Sequence, residues 1–254
     1  MKKEIVKKLE TFLADFEHKD DVVGVLVCGS YVTGHPNAHS DLDVHLLLNK
    51  KCKYRERGNR IVDGLLIEYF ANTKRQVLAY FKEDYKNLRP MSQTQFATGE
   101  ILFDKTGEIE QLKKEAEKQL GKEFADLKVE PSPLTLYGLW DSMDDLQAIL
   151  EEDRADFDFV YFCKLDRLLA CLYRKMRLPY NTKTVYGQLV DKTVRKKYLL
   201  KEIKDKNLRA LLQTAIVEED RQKRLQAFTA LCEMILKEYD FDISKFSFKS
   251  DEDV

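Results

Sequence analysis

Two aspartates, Asp41 and Asp43, stand at the start of an apolar run that extends to Asn49. Side chains two residues apart on a β-strand project from the same face, so the two carboxylates are expected to point together. Paired negative charges at the start of a buried strand are costly unless a cation lies between them. Mg²⁺ binds carboxylate oxygens and keeps coordination positions for substrate phosphates. The spacing therefore predicts a divalent cation site.

The turn before these aspartates is suited to an anion. An apolar run that begins at Val22 ends in Cys28 and is followed by Gly29 and Ser30. Glycine allows a positive φ or a close approach of the backbone to a ligand. Residues 31–34 are expected to form a short helix whose free N–H groups face the anion. We expect phosphates to lie against Gly29 and Ser30, with a metal joining them to the aspartates.

These residues form a pattern: Gly29-Ser30, a spacer that contains Gly34, and Ser40-Asp41-x-Asp43 between two hydrophobic runs. The pattern resembles the signature of the polymerase-β-like nucleotidyltransferases, which include aminoglycoside and lincosamide nucleotidyltransferases and minimal nucleotidyltransferases. The resemblance covers residues 22–70 and weakens towards residue 120. It implies a nucleotidyltransferase-type mixed sheet with flanking helices, two Mg²⁺ ions, and an NTP co-substrate bound through Gly29, Ser30 and Ser40.

The superfamily uses a third carboxylate on a neighbouring strand. Here Glu68 is the acidic residue in the centre of the apolar run from Gly64 to Phe70. An unpaired glutamate is uncommon in a core, so Glu68 is predicted as the third metal ligand beside Asp41 and Asp43. Two ordinary alternatives stay open: Glu68 lies on the solvent face of an edge strand, or it pairs with Lys or Arg. Carboxylates that are splayed apart or held by Arg or Lys would argue against the transferase interpretation.

Composition bounds the remaining classes. The chain has 254 residues, of which 44% are hydrophobic and 34% charged, with a formal net charge of -1. This length allows one large or two ordinary domains, and the charge gives no overall basic footprint for a nucleic acid. The five cysteines are expected to be reduced thiols. No apolar segment reads as a signal peptide or a membrane span, so we expect a cytoplasmic protein without a membrane partner.

Histidines and a basic segment near the motif allow other interpretations. His35, His39 and His45 invite zinc, but their spacing matches no common zinc site. His45 shares the expected strand face of the aspartates, and a packed or hydrogen-bonded histidine is favoured over a ligand. The segment 50–60 carries six Lys or Arg and is predicted to be a hairpin connection or a disordered tip. Either a solvated loop or electrostatic steering of a nucleotide would explain it, and the solvated loop is slightly favoured.

Periodicity divides the chain into two predicted domains, 1–127 and 128–254, at a boundary marked by Pro131 and Pro133. The fold class is α/β (α+β), with a C-terminal all-α helical bundle. An acidic, frayed tail is expected at 251–254. The helices are expected at 1–19, 73–88, 109–120, 134–151, 157–176 and 218–239, with shorter ones across 183–214. A helix end, a turn and a short strand are expected across 96–104.

A helical domain beside such a core resembles the antibiotic-modifying relatives. In them a carboxylate of the helical half deprotonates the acceptor hydroxyl. Asp141 and Asp145 lie one helical turn apart and off the apolar stripe, so either is a candidate base. Asp145 is the one we predict, with ordinary surface acids as the competing interpretation.

The sequence thus predicts a metal-dependent transfer of an NMP group from an NTP to an acceptor hydroxyl. A small molecule such as an antibiotic is the favoured acceptor. Two alternatives stay open: a protein- or RNA-modifying (antitoxin-type) nucleotidyltransferase, and a non-catalytic nucleotide-binding module.

Overall fold

A computed structural model describes residues 2–34, 36–122, 124 and 127–249. The chain forms two compact units, Met1–Ala125 and Asp126–Val254. The expectations for His35 and for the acidic tail concern residues outside the described part. The predicted fold class is confirmed, because the first unit holds a mixed sheet with helices and the described part of the second is built from helices.

The sheet of the first unit has five strands in the order β3-β4-β2-β1-β5. Strand β2 runs parallel to β4, whereas the β1–β2, β1–β5 and β3–β4 pairs are antiparallel. The central strands are rich in Val, Leu and Ile, as expected for strands that are covered on both faces. The strand bounds are Val22–Cys28 for β1, Leu42–Leu48 for β2, Glu56–Val62 for β3, Leu65–Thr73 for β4 and Glu100–Asp104 for β5.

Strand β3 corrects one prediction. The segment 50–60 was expected to be a hairpin connection or a disordered tip, but its second half is the edge strand of the sheet. Neither face of this edge strand is fully buried, so it tolerates charged side chains. The alternation of apolar and polar residues that would predict a strand is therefore missing. The hairpin turn is Asp63-Gly64, with φ of 46° and 77°. An Asp-Gly pair with two positive φ angles is typical of a two-residue hairpin, and it is the sequence signal that was missed.

Helices cover both faces of this sheet. Helix α1 packs Leu9 and Phe12 against one face. Phe81, Phe96 and Leu112, from α3, α4 and α5, pack against the other. Burial of these apolar side chains stabilises the layers and fixes which strand face each helix covers. The bounds are Lys3–Asp15 for α1, Ser30–Thr33 for α2, Lys74–Lys86 for α3, Met91–Thr98 for α4 and Glu108–Gly121 for α5.

The second unit buries a core of Leu, Phe and Tyr side chains between its helices. No helix in the described part of the chain is long and apolar enough to span a bilayer. The helices are Pro133–Glu151 (α6), Phe157–Lys175 (α7), Val185–Val190 (α8), Lys192–Lys197 (α9), Lys206–Val217 (α10) and Arg221–Glu238 (α11).

A charged cluster links α7 to α11 in this unit. Asp158 accepts hydrogen bonds from Nε and Nη2 of Arg221, at 3.2 and 2.6 Å, and a further one from Arg224. The Arg224 guanidinium lies 4.9 Å from the ring centre of Tyr161 and 5.2 Å from that of Phe162. The hydrogen bonds from both arginines lower the pKa of Asp158. Its negative charge is therefore fully matched inside the fold.

Candidate metal and nucleotide site

The parallel pairing of β2 with β4 brings the three predicted carboxylates together. Asp43 lies directly opposite Glu68 in the register, and Asp41 precedes β2 by one residue. One carboxylate oxygen from each of the three lies within 4.8 Å of the others. Adjacent strands are separated by about 4.8 Å, so this clustering follows from the register. Hard oxygen donors at this spacing form a donor set suited to Mg²⁺ or Mn²⁺.

Strand alternation fixes the face on which the carboxylates stand. Leu47 packs with the α3–α5 layer, whereas Val44 and Leu46 pack with the α1 layer. Because side chains alternate, Asp43 lies on the same face as Leu47. The carboxylates therefore stand at the end of the face that the α3–α5 layer covers, where the buried residues include His45 as well as Leu47.

Gly29 brings the backbone against the second aspartate. Its φ is 76°, and a Cβ atom at this position would lie 2.1 Å from Oδ2 of Asp43. Only glycine accepts both the conformation and the contact. The Gly29 carbonyl accepts hydrogen bonds from the backbone N–H and the hydroxyl of Thr33, both at 3.0 Å, which closes the turn of α2. Ser30 follows as the half-buried first residue of α2.

Ser40 closes the turn that leads into Asp41. Its hydroxyl accepts a hydrogen bond from the backbone N–H of Asn37 at 2.8 Å, and its own N–H donates to the Asn37 carbonyl at 3.1 Å. These bonds set the direction in which the chain enters β2. Ser40 thus has a positioning role in the structure, and the predicted contact with a nucleotide stays a prediction.

The site concentrates negative charge. Burial, followed by the charges of Asp41 and Glu68, raises the pKa of Asp43 to about 6. Cys28 is paired with Asp43 across the sheet. Burial, followed by the charges of Asp43, Asp41 and Glu68, raises the pKa of its thiol. A cation between the carboxylates would offset both the desolvation and the repulsion. The oxygen donors, their spacing and the close approach at Gly29 fit a divalent cation.

Glu68 has one partner that bears on this interpretation. Nη2 and Nε of Arg57 donate to Oε1 of Glu68, at 2.6 and 3.2 Å. Glu68 therefore pairs with an arginine, as one of the two alternatives stated, while its assignment as a metal ligand stays a prediction. The edge-strand alternative is wrong because β4 lies between β3 and β2. For one of the three carboxylates, Glu68, this contact with an arginine argues against metal binding. Both hydrogen bonds go to a single oxygen, however, and Glu68 remains within the carboxylate cluster.

His45 is a packed and hydrogen-bonded histidine, as favoured. It is 9% exposed, its Nε2 lies 3.2 Å from Oε1 of Gln95, and its ring stacks on Phe70 at 5.2 Å. Burial lowers the pKa of His45 to about 4 despite the opposing effect of the Gln95 hydrogen bond. The neutral ring therefore packs with Phe70 on the sheet face that carries the carboxylates.

The predicted base, Asp145, lies on α6 in the second unit. Its Oδ2 accepts a hydrogen bond from Nζ of Lys164 at 2.7 Å, and its side chain is 51% exposed. Asp141, the alternative, is half-buried one turn earlier on the same helix. Lys164 is half-buried, so the ion pair is partly shielded from solvent, and the assignment of Asp145 as base stays a prediction.

Sequence reasoning missed Arg57 as a site residue. The basic segment 50–60 was predicted to be a hairpin connection or a disordered tip, and a residue in such a segment has no register with β4. The available signal was the Asp63-Gly64 turn. Counting back from that turn pairs Arg57 with Phe70, two residues from Glu68 on the same face.

Comparison with known proteins adds little to this geometry. No protein-family model matches the sequence, and no curated protein is similar to it. Among solved structures, this chain is similar to a nucleotidyltransferase-like protein from Exiguobacterium sibiricum 255-15, with a TM-score of 0.47 and 11% identity. The alignment covers 92% of this chain and 75% of that one. A likeness of this size is too weak to assign a family or an activity.

Proposed function

We propose that the protein is a metal-dependent nucleotidyltransferase that moves an NMP group from an NTP to an acceptor hydroxyl and releases pyrophosphate. The observation that supports this most directly is the convergence of Asp41, Asp43 and Glu68 within 4.8 Å, with Gly29 against Asp43. Three carboxylates at the end of an apolar sheet face stabilise no fold by themselves. They are suited to holding cations against a phosphate chain.

Two Mg²⁺ ions are proposed, and they would be held by Asp41, Asp43 and Glu68. Bound there, Mg²⁺ supplies charge neutralisation for the phosphates in the in-line transition state. Gly29 keeps the space beside Asp43 free of a side chain. The hydroxyl and backbone N–H of Ser30 are proposed phosphate donors, and Ser40 holds the turn that aims Asp41.

The acceptor is proposed to be a small molecule, with Asp145 as the base that takes its hydroxyl proton. A protein or RNA acceptor is the alternative within the same chemistry. Incubation with labelled NTP and a cell lysate separates them, because a labelled macromolecule forms only with a protein or RNA acceptor.

One observation favours a second candidate, a non-catalytic nucleotide-binding module. The ion pair between Arg57 and Glu68 neutralises one of the three carboxylates from within the chain. A module that only binds nucleotide would need fewer free acidic oxygens than an enzyme. Pyrophosphate release over a panel of acceptors decides between them, since only the enzyme releases it.

The metal assignment is tested with the double variant Asp41→Asn/Asp43→Asn. We expect Mg²⁺-dependent nucleotide binding, followed by calorimetry with ATP and GTP, to be lost and pyrophosphate release to fall by about 10³-fold or more. The matched control is Asp15→Asn/Asp20→Asn, which removes two exposed acids of the same unit and should leave both unchanged. Equal binding by the wild type and the site variant would refute the metal assignment. For the base, Asp145→Asn should lower kcat by about 10²-fold or more while nucleotide binding persists.

A further inference from the structure

Arg57 occupies an unusual place beside the carboxylates. It belongs to the edge strand β3, its side chain is 69% exposed, and its guanidinium carbon lies 4.8 Å from the ring centre of Phe70. From this position it donates two hydrogen bonds to one oxygen of Glu68, as described above. The guanidinium therefore packs on the Phe70 ring and, at the same time, donates to a carboxylate of the cluster.

The contact with Glu68 conflicts with metal binding at the same oxygen. An oxygen that accepts two N–H bonds from a guanidinium is a poor ligand for a cation, and a positive charge at this distance repels one. A cation shared by the three carboxylates therefore competes with Arg57. Because the side chain is mostly exposed, the ion pair contributes little to stability and is inexpensive to break.

The guanidinium released from Glu68 is exposed and free to bind another anion. Its planar donors match a phosphate group as well as they match a carboxylate. The contact with Phe70 keeps the guanidinium beside the carboxylate cluster, which is where the proposed function puts the phosphate chain. Further along the same strand, Arg60 lacks this opportunity, since it points to the opposite face and its guanidinium carbon lies 6.0 Å from the ring centre of Tyr69.

We propose that Arg57 is an exchangeable phosphate-binding residue, which pairs with Glu68 in the metal-free site and transfers to the nucleotide's phosphates when a divalent cation binds. This inference rests on the proposed function, whose metal and nucleotide it uses. The exchange couples the two ligands. A bound cation releases Arg57 for the phosphates, and phosphates bound to Arg57 leave Glu68 free for the cation. The role is one of binding and does not involve the reacting atoms.

The test compares two ligands that Arg57 affects in opposite directions. Arg57→Gln should bind free Mn²⁺ about fivefold more tightly than the wild type, measured by electron paramagnetic resonance, because a competitor for Glu68 is gone. The same variant should bind the Mn²⁺–tripolyphosphate complex about fivefold or more weakly, measured by calorimetry, because a phosphate ligand is gone. Arg57→Lys should restore part of the second affinity. Arg60→Gln is the matched control and should change neither.

The outcomes separate this inference from the proposed function. If the wild type binds both ligands and Arg57→Gln changes neither, or weakens both, Arg57 is a structural residue and the exchange is refuted while the metal site stands. If the wild type binds no Mn²⁺, the proposed function fails and the inference fails with it. Opposite changes in the two affinities support the exchange, because a merely structural role would weaken both.

Discussion

Two aspartates, one in each unit, show how differently the same side chain is used. Asp158 in the helical unit accepts hydrogen bonds from Arg221 and Arg224, which lower its pKa. Asp43 in the sheet unit faces Asp41 and Glu68, and burial together with their charges raises its pKa to about 6. The first carboxylate is neutralised by the fold. The second lies among like charges, and in the part of the chain that the structure describes one arginine, Arg57, forms an ion pair with one of the three acids.

The difference separates structural charge from functional charge. A buried or half-buried carboxylate with matched donors contributes to stability or leaves it unchanged. A cluster of like charges lowers stability and persists where a ligand of opposite charge is to be bound. Three substitutions, Arg224→Ala, Gly29→Ala and Asp43→Asn, test this contrast.

Arg224→Ala should destabilise the helical unit by about 3 kcal/mol, because it removes a buried cation, its hydrogen bond to Asp158 and its packing on aromatic rings. The side chain is 8% exposed, against 34% for Arg221. Arg221→Ala should therefore cost only about 1 kcal/mol. Urea denaturation followed by the fluorescence of Trp140, the single tryptophan, measures both. Equal losses would show that burial does not decide the strength of this cluster.

Gly29→Ala should destabilise the sheet unit by about 2 kcal/mol and abolish Mn²⁺ binding, since its Cβ collides with the Asp43 carboxylate in addition to the strain of a positive φ. Gly34→Ala is the control, because Gly34 also has a positive φ, 84°, but open space around its Cβ position. It should lose about 1 kcal/mol and keep its Mn²⁺ affinity. Circular dichroism in urea and Mn²⁺ titration give the two quantities. Retained Mn²⁺ binding in Gly29→Ala would contradict the close approach.

Asp43→Asn should stabilise the metal-free sheet unit at pH 7.5 by about 1 kcal/mol, after allowance for the partial solvation of the carboxylate. The folded pKa of about 6 lies above the ordinary 3.8, so the folded state holds the extra proton between these values. The free energy of unfolding of the wild type therefore falls as the pH rises from about 4 to 6, and the variant loses this dependence.

The measurement is urea denaturation in EDTA across pH 4 to 8, with Asp158→Asn as the contrasting variant. The pKa of Asp158 is lowered from the ordinary 3.8, so that substitution should destabilise by nearly the same amount from pH 4 to 8, because its contribution is lost only as the pH falls below 3.8 towards the folded pKa. A stabilising effect of Asp158→Asn, or a pH-independent effect of Asp43→Asn, would remove the distinction between the two aspartates.

Local patterns in the sequence were sufficient for most of the elements and for the carboxylate cluster. Helical periodicity located α6, α7 and α11, and the spacing of Asp41 and Asp43 on an apolar strand fixed their common face. The edge strand β3 was missed because its exposure on both faces removes the hydrophobic alternation on which strand prediction depends. Arg57 was missed for the same reason, since its contact with Glu68 exists only through the pairing of β3 with β4.

The parallel register of β2 and β4 also determines where this chain tolerates changes in length. Asp43 faces Glu68 only because Leu42 is paired with Ile67. One residue inserted into β4 ahead of Glu68 would turn that side chain to the opposite face, into the apolar layer beneath α1. Residues added between β2 and β3, in 49–55, leave the pairing intact because the connection lies outside every ladder. Insertions and deletions in this protein should therefore accumulate in that connection and be excluded from the first residues of β4.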